Sequence, residues 1–287
     1  MATQSPDREN LATPRIVDLF HVGPPKSGTT WLYRALREHP QIVTSPQDSI
    51  HFFNINFHRG FEWYEKHFDP SSEAIVFDPT PSYLADASSP QRIFDYNPKA
   101  KIMLTARNPI ERAFSHYWHE KKKDRFNFAF DEALTNQDLY TNWIAPGLYS
   151  LHIEKYLSFF PRDQIKVLFF DDLESDPLKF YQEACLFAGI DSSQTPSVMN
   201  KKVNKAGAFK SQRQRRLETS TAKIPPLKFL FRGLNFLFSE KRIEKVADVD
   251  DATIHEMKML FANDISRLEQ FTGRNLNHWK SFEPKER

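Results

Sequence analysis

The chain has 287 residues, 40% of them hydrophobic and 26% charged, with a net charge of +2. That balance builds a core and excludes a disordered chain, and the charge is too mild to imply nucleic acid as a partner. One cysteine, Cys185, excludes an internal disulfide and a thiolate metal cluster, and fits a reducing compartment.

Cys185 lies in a helical pattern from Tyr181 to Phe187 and reads as a small core residue. The polar stretch from Met1 to Leu11 lacks the apolar stretch of a signal peptide, and no run reaches the ~18 apolar residues of a membrane span. The expectation is a cytoplasmic protein with a flexible tail over residues 1–14 and a single domain over 15–287.

An apolar run from Ile16 to Val22 predicts a buried parallel strand. A turn carrying Gly23, Lys26, Ser27 and Gly28 follows, and then helical spacing from Thr30 to His39, stopped by Pro40. Strand, glycine-bearing turn and helix start form a phosphate cradle, because backbone N–H groups and the positive end of the helix dipole converge there. The spacing departs from that of an ATP-binding loop, which is Gly, four residues, then Gly-Lys-Ser/Thr. Gly23 and Gly28 fit, but Thr29 stands at the lysine position and Lys26 lies inside the turn, nearer a single terminal phosphate. The plain alternative is a junction without a ligand; Lys, Ser, Thr and Thr together in the loop argue against it.

Pro25-Lys-Ser-Gly-Thr-Thr-Trp31 resembles the 5′-phosphosulfate loop of sulfotransferases that use 3′-phosphoadenosine 5′-phosphosulfate (PAPS). The resemblance implies that Lys26, Ser27, Gly28, Thr29, Thr30 and Trp31 bind the donor, and that Lys26 steadies the bridging oxygen as the sulfuryl group departs.

Gln47 to Phe68 is dense in aromatic residues and histidine and reads as a packed edge of the core, with Phe57, Phe61, Trp63 and Tyr64 as filling. It is also similar to the Glu-Val-His-Phe-Phe and Gly-x-x-Trp-Tyr segment of carbohydrate sulfotransferases, above all those acting on heparan sulfate. In those enzymes the glutamate is the catalytic base. Here its position is Ser49, which takes no proton unaided at neutral pH. Asp48, one residue earlier, and His51, whose ordinary pKa suits base chemistry, are the candidates to replace it. Period-2 alternation would put His51 on the face of Ser49 if this piece is extended.

Ala74 to Asp78 predicts a second short strand ended by Pro79. Thr80-Pro-Ser-Tyr-Leu84 is similar to the family's Glu-Lys-(Ser/Thr)-Pro-x-Tyr stretch, with Asp78 at the acid position, Pro79 in place of the lysine, and Tyr83 as a residue lining the site. Two changes at acceptor-facing positions point to an acceptor other than a sulfated polysaccharide.

Lys101 to Arg107 predicts the next buried strand, and Asn108-Pro109 opens a helix through Glu120. An arginine at the carboxyl rim of a parallel sheet is placed for bidentate phosphate binding. Arg107 and Ser115 match the 3′-phosphate-binding pair of PAPS sulfotransferases, while Arg112 reads as structural. The charged run from Glu120 to Arg125 reads as a solvated face.

Gly147 to Phe160 predicts an amphipathic helix, Gln164 to Phe170 a strand, and Asp171 to Pro177 an acidic turn whose carboxylates cap the next helix rather than hold a metal. The basic stretch from Lys201 to Arg216 resembles the family's late loop over the donor phosphates, with Lys205, Gly207 and Lys210 as its binding residues. The aromatic, basic stretch 224–238 reads as a lid over the acceptor cleft. Asp251 to Phe271 predicts a last amphipathic helix with Gly273 just past its end.

Alternating strands and helices predict a three-layer α/β fold with a mainly parallel central sheet flanked by helices; the resemblance implies the P-loop-like sulfotransferase fold. The function implied is sulfuryl transfer from PAPS to a hydroxyl or nitrogen of a small-molecule or carbohydrate acceptor, releasing adenosine 3′,5′-bisphosphate (PAP), with no metal. Two alternatives stand beside it. A P-loop kinase would need a lysine after Gly28 and an acidic Mg²⁺ partner. A non-catalytic binder of polyanions or membranes would use residues 201–238 beside a degenerate donor site.

Overall fold

A computed structural model of the chain describes residues 16–69, 73–121, 128–200 and 249–283. Its centre is a five-stranded, wholly parallel sheet in the order β2-β3-β1-β4-β5, built from β1 (Leu19–Gly23), β2 (Ile42–Thr44), β3 (Ile75–Asp78), β4 (Lys101–Ala106) and β5 (Ile165–Phe169). All five residues of β1 are buried, because a parallel sheet is covered on both faces and its strands therefore read as continuous apolar runs.

Successive residues of each strand enter different cores. Phe20, Val22, Ile102 and Leu104 pack with Phe53, Tyr64, Tyr96, Phe261 and Trp279 on one face. Leu19, Phe77, Met103 and Leu168 pack with Trp31, Leu36, Phe180 and Tyr181 on the other. The outer layers comprise α1 (Thr29–Arg37), α2 (Phe61–Glu65), α3 (Ser89–Tyr96), α4 (Pro109–Lys121), α5 (Glu132–Thr135), α6 (Gln137–Leu139), α7 (Tyr149–Leu157), α8 (Phe170–Ser175), α9 (Pro177–Ala188), α10 (Asp251–Thr272) and α11 (Asn277–Lys280). This is the three-layer fold expected from the sequence.

From β1 the chain first builds β2 and β3 on one side and then β4 and β5 on the other. The reversal of strand order lies at β1, and in open parallel sheets ligands bind in the crevice outside the carboxyl ends of the strands at such a reversal. The loops that carry the sequence motifs leave the sheet at those ends.

Two expectations need correction. Asp171 to Ser175 is not a turn but part of α8, whose Phe170 and Leu173 give it an apolar face against the loop after β1. Of its acids, Asp172 pairs with Arg274, and Asp171 accepts hydrogen bonds from His278 Nε2 at 2.7 Å and Trp279 Nε1 at 2.9 Å. Those contacts dock the C-terminal segment; capping falls to Asp176, which accepts from Lys179 N at 3.0 Å. The second correction concerns residues 51–56. They are not extended: His51 has φ of 54° and is followed by a wide helical turn over Phe52–Asn56, so the alternation argument does not apply.

The last helix, α10, begins at the side chain of Asp250, which accepts from Thr253 N at 2.8 Å, and ends at Gly273 with φ of 71°. Asp264 on α10 caps a different helix, accepting from Ser150 N at 3.2 Å and Leu151 N at 3.1 Å at the start of α7. Cys185 is buried and desolvation pushes its thiol up to about 11, which leaves it a packing residue. Among the described residues no helix is long and apolar enough to cross a membrane.

Candidate functional site

The loop after β1 is shaped by close approach. A Cβ on Gly23 would lie 2.0 Å from the carbonyl oxygen of Pro81, and its φ of 117° suits glycine alone. Gly28, with φ of 84°, precedes α1, and a Cβ there would lie 2.7 Å from Leu173 Cδ2. Between them Lys26 takes φ of 74°, a left-handed conformation that a lysine rarely adopts. The Thr29 hydroxyl donates to the Pro24 carbonyl at 3.3 Å, bracing the loop. Ser27 is fully buried. The start of α1 has no side-chain cap and no acid in its first turn, which leaves the positive end of the helix facing the loop.

Trp31 behaves differently from the rest of the motif. Its side chain packs edge-on against Phe180 at 5.8 Å in the core, and its backbone N–H donates to the Gly28 carbonyl at 2.9 Å. Its contribution is to anchor α1.

Arg107 comes to the same place from β4, which pairs with β1. Its Nη1 donates to the Lys26 carbonyl at 3.2 Å, its Nε and Nη2 donate to Glu111 Oε2 at 3.3 and 3.1 Å, and its guanidinium lies 4.4 Å from the Phe170 ring centre. Tyr149 pins the backbone beneath it: the hydroxyl donates to the Arg107 carbonyl at 2.6 Å and accepts from its N–H at 3.1 Å. Ser115 lies two turns along α4, half-buried and on the face of Glu111. The structure therefore brings Lys26 and Arg107 together, with Glu111 between Arg107 and Ser115. Glu111, Phe170 and Tyr149 were not legible from the sequence; only the i,i+4 spacing of Arg107 and Glu111 signals one of them.

The candidate acceptor side rests on the loop after β3. Leu84 N donates to the Val22 carbonyl at 2.9 Å, which sets this loop against the end of β1. Residues 50–56 lie on it in turn. Ile50 N donates to Thr80 Oγ1 at 3.1 Å, His51 Nδ1 lies 2.8 Å from Ser82 Oγ, and Asn54 Nδ2 donates to the same oxygen at 2.9 Å. Below them, Asp78 is fully buried and accepts from Thr80 Oγ1 at 2.5 Å, Tyr64 OH at 2.7 Å and Tyr83 OH at 3.1 Å. Burial raises the Asp78 carboxyl above the usual range, against the pull of those hydroxyls.

Tyr83 is corrected by this arrangement. It is fully buried and lines no cleft; its hydroxyl accepts Phe52 N–H at 2.9 Å and ties the aromatic segment to Asp78. Asp78 likewise does not face an acceptor directly. Burial lowers the pKa of His51, and the nearby charges of Asp78 and Asp48 oppose that shift. His51 is half-buried whereas Asp48 is exposed, and the Ser49 hydroxyl turns back to the Asp48 carbonyl at 2.6 Å. Lys205, Gly207, Lys210 and the stretch 224–238 lie outside the described residues. Among the described residues no group of three or more His, Cys, Asp or Glu could hold a metal.

The family model described as "Sulfotransferase domain" matches residues 17–227, most of the chain. The chain belongs to the sulfotransferase family. Its similarity to the bifunctional heparan sulfate N-deacetylase/N-sulfotransferase 4 of Mus musculus is 33% identity over 191 residues, covering 59% of this chain and 22% of that protein. Bifunctional heparan sulfate N-deacetylase/N-sulfotransferase 3 of Homo sapiens is 31% identical over 196 residues, with 61% and 22% covered. The chain thus spans about a fifth of the length of these relatives. The crystal structure of a sulfotransferase from Alicyclobacillus acidocaldarius superposes with a TM-score of 0.69 at 24% identity, covering 93% of this chain and 99% of that one. Mouse sulfotransferase SULT7A1 complexed with PAP gives a TM-score of 0.50 at 18% identity, covering 87% and 85%. The fold of this sulfotransferase is thus the P-loop-like one of its family.

Proposed function

We propose that this sulfotransferase moves a sulfuryl group from PAPS to an amine or hydroxyl of a small-molecule or carbohydrate acceptor and releases PAP. The observation that carries the reading is the 3.2 Å contact between Arg107 Nη1 and the Lys26 carbonyl. It joins the loop that suits a 5′-phosphosulfate to the arginine that suits a 3′-phosphate, at the carboxyl edge of two adjacent parallel strands. The name of one structural neighbour, complexed with PAP, agrees with this ligand.

In this reading Lys26 and the backbone N–H groups of Ser27 to Thr30 hold the charge that grows on the phosphate oxygen as its bond to sulfur breaks. Preorganised donors of this kind act most strongly where charge develops. Arg107, with Ser115 farther along α4, selects the nucleotide by its 3′-phosphate. Glu111, which now holds the Nε and Nη2 edge of the Arg107 guanidinium, is the contact that a phosphate would displace. Thr29 and Thr30 add hydroxyls at the start of α1.

His51 takes the base role in preference to Asp48. The Ser82 oxygen that receives the Asn54 amide can also accept from His51 Nδ1–H, which leaves the Nε2 lone pair for an acceptor proton. Its left-handed backbone supports the same choice: Lys26 and His51 are the non-glycine residues of positive φ among the described residues, and such strain persists at functional sites. An amine is the favoured acceptor, since the curated relatives are named as N-sulfotransferases.

The test is sulfate transfer from labelled PAPS to a panel of amino sugars, phenols and alcohols, read by mass spectrometry, alongside PAP binding by calorimetry. Wild-type protein should bind PAP and sulfate at least one amine, and the Lys26→Ala variant should bind nucleotide with little turnover. PAP binding absent in wild type, or a thermal shift with ATP and Mg²⁺ alone, would end this reading.

A further inference from the structure

Apart from its contact with the Lys26 carbonyl, Arg107 has three supports among the described residues. They are Glu111, the Phe170 ring 4.4 Å from its guanidinium, and the Tyr149 hydroxyl on its backbone. A phosphate displaces the first, so the other two decide where the guanidinium stands around a bound nucleotide. Phe170 opens α8, and α8 reaches the donor loop as well. A Cβ on Gly28 would lie 3.2 Å from Phe170 Cδ2 and 2.7 Å from Leu173 Cδ2. At six residues, α8 is too short to hold its shape by propensity.

Both acids of its first turn go to the segment that follows α10. Arg274 sets its planar fork on Asp172, with Nη1 on Oδ2 and Nη2 on Oδ1 at 2.8 Å, and its guanidinium lies 4.2 Å from the Phe169 ring centre. Trp279 Nε1 and His278 Nε2 donate to Asp171 Oδ2 at 2.9 and 2.7 Å. Trp279 is buried and touches the other support too: its ring centre lies 6.3 Å from that of Tyr149 and 5.9 Å from that of Phe169. Residues 274–279 therefore back Arg107 from two directions, through α8 and through Tyr149 on α7. They do so from beyond the residues that match the family model. A close-packed interior passes a displacement on rather than absorbing it.

We propose that Arg274 and Trp279 are positioning residues for the donor seat: by clamping α8 and Tyr149 they fix the Arg107 guanidinium beside the Lys26 loop at the separation that a nucleotide with a 5′- and a 3′-phosphate requires. They act through Phe170, Tyr149 and Arg107. This rests on the PAPS reading above and adds to it the part of the chain that enforces the geometry.

Calorimetry with PAP and with 5′-AMP on wild type, Arg107→Ala, Arg274→Ala and Trp279→Phe tests it. PAP binding by wild type that is lost or much weakened in Arg107→Ala establishes the donor site separately. Wild type without PAP binding overturns the donor reading and this proposal together; PAP binding unchanged in Arg107→Ala overturns this proposal. With the donor site established, Arg274→Ala should weaken PAP by about tenfold and Trp279→Phe by about fivefold, within the coupling of groups in one hydrogen-bonded network. AMP lacks the phosphate that Arg107 selects and should stay within about twofold of wild type in both. KM for PAPS should rise in step with the loss of PAP affinity, while kcat at saturating donor stays within about twofold. A segment that serves the fold alone would lower the melting temperature and leave PAP affinity unchanged, overturning the proposal. Equal losses for PAP and AMP would overturn it too. If Arg274→Ala does not fold, Trp279→Phe decides, since it keeps a packed ring and loses one hydrogen bond; unchanged PAP affinity in it rejects the clamp.

Discussion

The loop after β1 and the segment after β2 each hold one non-glycine residue in left-handed backbone, Lys26 and His51, but by different means. Around Lys26 the holding is done by backbone and charge: glycines on either side, the Arg107 guanidinium on its carbonyl, and Phe170 stacked behind that guanidinium. Around His51 it is done by neutral side chains. Ser82, Asn54, Thr80 and Tyr83 form a hydrogen-bonded frame that ends on the buried carboxyl of Asp78. The first region is suited to receive an anion, at the uncapped start of α1 with a guanidinium beside it. The second is hydrogen-bonded within itself, so it presents one imidazole in one place. A donor shared across a family can be met by a fixed cationic loop, whereas an acceptor is chosen by whatever the frame exposes.

Substitutions that separate these two regions should differ in kind. The largest effect is expected at the acceptor side: His51→Asn should lower kcat by about 10²–10⁴-fold, the range of lost general-base catalysis, with PAP affinity intact. Unchanged kcat in that variant would return the base role to Asp48. On the donor side, Lys26→Ala should lower turnover by about 10²–10³-fold, as for loss of one preorganised donor to a developing charge. The two variants are told apart by pH. Because burial keeps the His51 pKa below its ordinary value of 6.5, the acid limb of kcat/KM should fall below pH ~6.5 and vanish in His51→Asn.

A stability measurement probes the frame itself. Tyr83→Phe removes the hydroxyl that accepts Phe52 N–H and donates to Asp78. It should cost about 1–3 kcal/mol by leaving buried groups unpaired, read as a lower denaturant midpoint. Acid should weaken the whole fold as well. His21 and His116 are held down to about 3 and His152 to about 4, chiefly by burial. Between about pH 6.5 and those values the unfolded chain binds more protons than the folded one, so stability falls as pH falls. A melting temperature flat from pH 7 to 5 would contradict this. The smallest effect belongs to Asp48→Asn, whose exposed carboxylate should change kcat by less than about threefold if His51 is the base.

Much of the donor side was legible before the fold was known. Gly23, Lys26 and Gly28 stand in one short window, and the strand ending at Arg107 announces itself by its apolar run, because both features are local. Ser115 was legible as a position on a helix, but not the carboxylate of Glu111 interposed beside Arg107. Trp31, read with the loop, turned out to be core, since the small residues around it decide the loop while its ring follows the helix face against Phe180. On the acceptor side the sequence offered Asp48 and His51 without a choice. Their difference is burial, and burial at residue 51 depends on the loop after β3, whose Ser82 is thirty-one positions away.

What the sequence determined by itself was four of the five strands, the anion-binding character of the loop after β1 and the arginine at the end of β4. Each follows from hydrophobic period or from residues adjacent in the chain. The tertiary structure alone decided that Arg107 braces Lys26 from eighty-one residues away, that Asp78 gathers three hydroxyls beneath His51, and that Arg112 lies buried with its Nη2 on the Trp143 carbonyl. These are consequences of which strands lie side by side and of what packing removes from water, and neither is written in local sequence.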